Sequence, residues 1–151
     1  MISDVDDLYQ ELILAHNKRP RNRRKLATAN RQAEGYNPLC GDHVTVFLHI
    51  EDEVVKEATF EGSGCAISTA SASLMTESLA GKTVTEARAL FDKFHGLITG
   101  KPVDDDEGPD LGKLAVFSGV GRYPARVKCA TLAWHTVNAA INNTGEVAST
   151  E

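Results

Sequence analysis

His43-Val44-Thr45-Val46-Phe47-Leu48-His49-Ile50, then Glu51-Asp52-Glu53, then Val54-Val55-Lys56-Glu57-Ala58-Thr59-Phe60, is the stretch on which the fold turns. The first segment alternates with the period of two that a half-buried strand requires. The second is rich in β-formers, and the acidic triplet between them reads as a turn, so the pair predicts an antiparallel hairpin. The second strand runs into Glu61-Gly62-Ser63-Gly64-Cys65, where two glycines permit a sharp strand-to-helix reversal. A helix is expected from Ala66 to about Ala80, with Ile67, Ala70, Leu74 and Met75 on its buried face. Ser68, Ser71 and Ser73 are small enough for close packing, and Gly81 ends the helix. Thr83 with Glu86 three residues on is a capping-box pattern, which opens another helix to about Leu97.

Outward from this centre the signals vary in strength. Residues 4–17 read as a helix, because Val5, Leu8, Tyr9, Leu12 and Ile13 share one face and the early aspartates suit its N-terminus. Residues 18–38 show little periodicity, and Gly35 to Pro38 reads as a turn. Thr99 to Gly112, with its glycines, prolines and acidic run Asp104-Asp105-Asp106-Glu107, reads as an exposed loop. Leu114 to Phe117 is expected to form a short helical turn. A last helix should start after Pro124 and run to about Asn143, with Val127, Ala130, Trp134, Val137 and Ile141 as its core stripe. From about residue 145 a flexible tail is expected.

At 151 residues the chain suits one domain, and 42% hydrophobic with 25% charged residues is ordinary for a soluble globular protein. No apolar run has the length to span a bilayer, and the acidic start is unlike a signal peptide, so no membrane association and a cytoplasmic location are expected. Six of the eight residues from Lys18 to Lys25 are basic, which leaves about −11 of the net −5 on the rest of the chain. This run lacks aromatics for stacking, and the acidic body would repel phosphates, so nucleic acid is not an expected partner. A solvated loop or a docking patch for an acidic protein are the remaining readings.

Chemistry concentrates at the cysteines. Three is an odd and sparse count, unlike a secreted disulfide scaffold. Cys40-Gly41-Asp42 places a thiol and a carboxylate two residues apart at the mouth of the first strand, with a glycine to let the backbone turn. They can share a metal, the carboxylate can tune the thiol, or they can be neighbours by chance. Cys65 opens a helix, where unpaired amides and the positive dipole end suit a thiolate; a buried small residue at a tight corner is the plainer reading. Cys129 lies two residues after Val127 and so leaves the core stripe, with Arg126 and Lys128 flanking it. Three thiolates and one carboxylate are enough for a tetrahedral zinc site, although the spacing matches no zinc finger. None of the five histidines is tied to a cysteine by a protease motif.

Taken together, Cys40-Gly41-Asp42, Gly62-Ser63-Gly64-Cys65-Ala66-Ile67-Ser68, the capped helix at Thr83 and Lys128-Cys129 resemble the U-type iron–sulfur cluster assembly proteins. The resemblance extends to the N-terminal helix and Pro20-Arg21-Asn22, and the order and spacing of these motifs are specific. It implies an α+β fold, a small antiparallel sheet packed against helices, with the cysteines converging at one end of the sheet. A scaffold of the IscU type has histidine immediately before the third cysteine, where this chain has Lys128. It also carries Leu-Pro-Pro-Val-Lys upstream, where this chain reads Tyr123-Pro124-Ala125-Arg126-Val127-Lys128. These departures, and a longer stretch between the second and third cysteines, are similar to the SufU subgroup.

For that subgroup the resemblance implies Zn²⁺ held by Cys40, Asp42, Cys65 and Cys129. It also implies transfer of sulfur from a SufS-type, pyridoxal-phosphate-dependent cysteine desulfurase and delivery to downstream SUF assembly proteins. Cys40 would be the sulfur acceptor, released when a histidine of the desulfurase replaces it on the metal, and Arg126 falls where the subgroup has an arginine near the site. Such a protein is a zinc-dependent sulfurtransferase serving a desulfurase rather than a free-standing enzyme. Two alternatives stay open: a scaffold that assembles a 2Fe–2S cluster, or binds iron, on the same four residues, and a structural zinc domain with no transfer chemistry.

Overall fold

A computed structural model describes residues 11, 13–38, 41–99, 114, 117, 124–142 and 148–149. The expected hairpin is formed by β2, Asp42–Glu51, and β3, Val54–Ser63, joined through Asp52 and Glu53. Both turn residues have positive φ, 52° and 63°, the handedness that matches the twist of the flanking strands. The helices that follow are α1, Ala66–Leu79, α2, Val84–Thr99, and α3, Pro124–Asn142. All three lie where periodicity and capping place them. At α2 the Thr83 N–H donates to Glu86 Oε1 at 3.0 Å and the Glu86 N–H donates to Thr83 Oγ1 at 3.1 Å. Leu114 and Phe117, both fully buried, lie in 3₁₀ conformation within the expected short helical turn.

The helices pack on the sheet to give the α+β layering that the resemblance implies. α1 lies against β3, and α3 lies against β1, β2, α1 and α2. That central position explains why α3 is apolar beyond a single stripe: Ala130, Leu132, Ala133, Trp134 and Val137 are all buried. Trp134 stacks on Phe94 of α2, with centroids 4.7 Å apart.

Two regions differ from expectation. Arg31–Asn37 is a strand, β1, pairing antiparallel with β2 from Arg31↔Leu48 to Asn37↔Asp42. It escapes a hydrophobicity reading because its inward positions are small or polar. Ala33, Gly35 and Asn37 face the helices while Gln32, Glu34 and Tyr36 are exposed. The reason is close approach by α3: a Cβ on Gly35 would collide with the Thr136 hydroxyl and come within 3.2 Å of Leu132 Cδ1. The second difference is in the tail expected to be flexible from about 145. Ala148–Ser149 forms β4, parallel to β1 through Gly35↔Ala148 and Tyr36↔Ser149, so the sheet order is β3-β2-β1-β4. The predicted loop at 99–112 lies outside the described residues except for Thr99, as does most of the N-terminal helix, of which residues 13–18 are helical.

The basic run is partly a strap rather than a free surface. The Phe60 N–H of β3 donates to the Asn22 carbonyl at 3.0 Å, and Arg23 Nη2 donates to the Gly62 carbonyl at 2.8 Å. Arg24 pairs with Glu57 at 3.0 Å, so this segment covers the outer edge of β3. Just before it, buried His16 Nδ1 lies 2.7 Å from Ser73 Oγ, which also accepts from the Arg21 N–H at 2.8 Å. The segment is thereby pinned to α1.

Gly35→Ala should cost about 1–3 kcal/mol by overpacking. Urea unfolding measures it, and adding Thr136→Ala should restore part of the loss if the clash is the cause. A pH effect is also expected at the α2–α3 seam, where His135 meets Phe91 and His95 edge to face at centroid distances of 5.4 and 5.8 Å. Burial first, and the charge of a protonated His95 second, hold His135 below its ordinary value. The unfolded chain therefore takes up that proton before the folded one. This contribution to stability is present above about pH 6.5 and is lost as the pH falls below it. His135→Phe should flatten that part of the stability–pH curve, and an unchanged slope would contradict the assignment.

Candidate metal centre

The site is built where β2 begins and two helices start. Gly41 adopts φ of 74°, a left-handed conformation that an L side chain resists, and its N–H donates to the Asn37 carbonyl at 2.8 Å. This closes the turn out of β1 and delivers Asp42 to the first position of β2. Asp42 is 1% exposed. Its Oδ1 accepts from the main-chain N–H of Cys65 at 2.9 Å. That approach depends on Gly64, where a Cβ would lie 2.7 Å from Asp42 Oδ1. Cys65 is the N-cap of α1, with Sγ accepting from the Ser68 N–H at 3.4 Å. Cys129 enters from α3, off the core stripe as its offset predicts, and is 3% exposed.

A carboxylate oxygen of Asp42 and the sulfurs of Cys65 and Cys129 all lie within 4.8 Å of one another. A tetrahedral zinc, with bonds of about 2.3 Å to sulfur and about 2.0 Å to oxygen, sets its ligands about 3.5–3.8 Å apart, so a contraction of no more than about 1 Å brings these three atoms onto one ion. The charge balance points the same way. Asp42 is buried, yet among the described residues no lysine or arginine forms an ion pair with it. Burying a carboxylate without a counter-charge is costly, and a cation among these three donors would remove that cost. Burial is uneven, because Cys65 is exposed while Asp42 and Cys129 are enclosed, so the group opens to solvent at the α1 N-terminus.

Three of the four expected ligands are therefore brought together. Cys40 lies outside the described residues; it is bonded to Gly41 and is two residues from Asp42. Arg126 is exposed one helical turn before Cys129 and so lies on the same side of α3. Lys128 is half-buried. Reading the sequence missed Asn37, which is fully buried. Its Nδ2 donates to Asp42 Oδ2 at 3.3 Å and to Cys129 Sγ at 3.7 Å. Its only signal was an asparagine five residues before Asp42, inside a segment taken for a turn.

With this geometry in hand, the relatives of the chain are informative. The sequence pattern of the NifU-like N terminal domain matches residues 8–130. The chain is 39% identical over 132 residues to the Bacillus subtilis zinc-dependent sulfurtransferase SufU, covering 87% of this chain and 88% of that protein. It is 42% identical over 134 residues to the Thermotoga maritima iron–sulfur cluster assembly scaffold protein IscU, covering 89% and 92%. Among solved structures, FiSufU from Fervidobacterium islandicum, assigned to cluster assembly for the SUF system, superposes with a TM-score of 0.81 at 36% identity, covering 87% and 94%. The fold, the order of the motifs and the pattern match agree: the chain belongs to the NifU-like N-terminal domain family, the U-type iron–sulfur cluster assembly proteins, and is similar to SufU and IscU alike.

Proposed function

We propose that this protein is a zinc-dependent sulfur acceptor that takes persulfide sulfur onto Cys40 from a SufS-type cysteine desulfurase and passes it to downstream SUF assembly proteins. The observation that carries the reading is the Asp42–Cys65–Cys129 group, a buried carboxylate and two sulfurs from three separate elements, open on one side. With Cys40 these residues supply three sulfurs and one oxygen, a donor set that suits zinc. Bound zinc would supply the positive charge that keeps the thiols deprotonated and protects them from oxidation. The similarity to the B. subtilis zinc-dependent sulfurtransferase supports the same assignment. So does Lys128 immediately before Cys129, where the IscU type has histidine.

The chain's own residues divide the work. Asp42 is held by the Cys65 N–H and the Asn37 amide and is the anchored oxygen donor. Cys129 is enclosed on α3, and Cys65 is fixed as a helix cap. Cys40 is the reacting group. Its thiolate attacks the outer sulfur of the desulfurase persulfide; that S–S bond breaks as a new one forms on Cys40, and the desulfurase cysteine leaves as a thiolate. No electrons are gained or lost overall. Arg126, on the Cys129 side of α3, supplies positive charge that offsets the anionic ligand set.

A second reading is favoured by the 42% identity to the T. maritima scaffold: a 2Fe–2S cluster assembled on the same four residues. The two separate on purification. A zinc-dependent acceptor is colourless with one zinc per chain, whereas a scaffold turns brown when given iron and sulfide.

Two outcomes are expected. Cys40→Ala should abolish stimulation of cysteine desulfuration while the protein stays folded; normal stimulation by this variant would refute the acceptor assignment. Gly64→Ala should displace the Asp42 carboxylate and weaken zinc binding by about 10- to 100-fold, the usual effect of disturbing what supports a ligand. Competition with a chromophoric chelator measures it.

A further inference from the structure

We infer that Asn37 is the positioning residue of the metal centre: its side-chain amide bridges Asp42 and Cys129 and holds these two ligands ready for one cation. The inference rests on the cation-binding reading above and adds a residue that the ligand set does not include. Four observations meet at this side chain. Asn37 is fully buried at the last position of β1, where an asparagine has to be satisfied by hydrogen bonds or be costly. Its Nδ2 donates to Asp42 Oδ2 at 3.3 Å and to Cys129 Sγ at 3.7 Å, so one amide nitrogen serves both ligands. Its main-chain carbonyl accepts the Gly41 N–H at 2.8 Å, tying the end of β1 to the residue before Asp42. In register it is paired with Asp42 across β1 and β2, so the strand ladder fixes the distance between donor and ligand.

The chemistry of the neighbours also fixes the orientation of the amide. The Asp42 carboxylate can only accept, so the NH₂ side must face it; the opposite orientation would set the amide oxygen against a carboxylate oxygen. A single NH₂ placed between Asp42 and Cys129 gives each a hydrogen bond and lowers the cost of assembling the pair before a cation arrives. Oxygen and sulfur ligands supported this way are oriented as well as stabilised, which is how outer partners contribute to metal affinity.

The test is zinc affinity of the full chain, with Asn37→Leu as the principal variant. Leucine keeps the branched heavy-atom outline and removes both donors, so a packing role alone would leave affinity unchanged. The expected result is a zinc affinity lower by about 10- to 100-fold. The thiolate-to-metal absorption of the cobalt-loaded variant should shift, and metal-free stability should equal or exceed that of the unmodified chain. Affinity within about threefold of the unmodified chain, with an unchanged cobalt spectrum, would overturn the inference. The unmodified protein gives a measurement that no folding defect can obscure. Its Asn37 side-chain amide protons should exchange slowly with solvent and move in the NMR spectrum when zinc is added. Amide protons that exchange freely and do not move would equally overturn it. If the unmodified chain binds no zinc, the cation reading itself fails, a result distinct from equal binding by both proteins.

Discussion

The hydrogen bond from the Cys65 main-chain N–H to the Asp42 carboxylate is the contact on which the site depends. It joins the first residue of β2 to the N-cap of α1, so one interaction sets a carboxylate beside one sulfur and orients both. The rest of the structure makes that short distance possible. The β2–β3 ladder pairs His43 with Ser63 and returns the chain to the strand mouth two residues before Cys65. Gly64 leaves the room that a Cβ would fill, and Gly41 turns the backbone so that Asp42 points inward. α3, packed beside α1, then brings Cys129 to the same point.

Much of the polar burial in the fold falls in two places. Asn37, Asp42 and Ser68 are buried around the centre, and Ser73, Thr76 and His16 are buried where the N-terminal segment is pinned to α1. Buried polar groups are tolerated where each is hydrogen-bonded, and such networks hold elements at fixed relative positions. α1 is gripped at its N-terminus by the Asp42 contact and along its body by the His16–Ser73 contact. Its Cys65 cap is therefore held from two directions, although the side chain itself is exposed.

The hairpin, α1, α2 and α3 were legible in the sequence because each carries a strong local signal: alternation at Val44–Ile50, a capping box at Thr83 and a three-four stripe through Trp134. Three candidate ligands were legible because each occupies an unusual place, Asp42 at a strand mouth, Cys65 at a helix start and Cys129 off a core stripe. β1 was not legible, since its inward face is Ala33, Gly35 and Asn37, chosen for closeness to α3 and for the site rather than for hydrophobicity. β4 is two residues long and owes its pairing to tertiary context. Asn37 went unseen for the same reason as β1, because its role appears only once the register sets it against Asp42.

The family likeness leaves a division of labour to decide, since relatives similar to this chain include both a sulfurtransferase and a scaffold. The two uses share ligands and differ in what the centre holds. A zinc site of three sulfurs and one oxygen is redox-inert and can exchange a ligand, which suits a carrier; an iron–sulfur cluster on the same residues suits a scaffold. X-ray absorption at the zinc edge, on protein isolated without added metal, tests the account most directly. The account predicts stoichiometric zinc with three sulfur neighbours near 2.3 Å and one oxygen near 2.0 Å. A centre holding iron in place of zinc, or zinc bound only by nitrogen and oxygen, would contradict it.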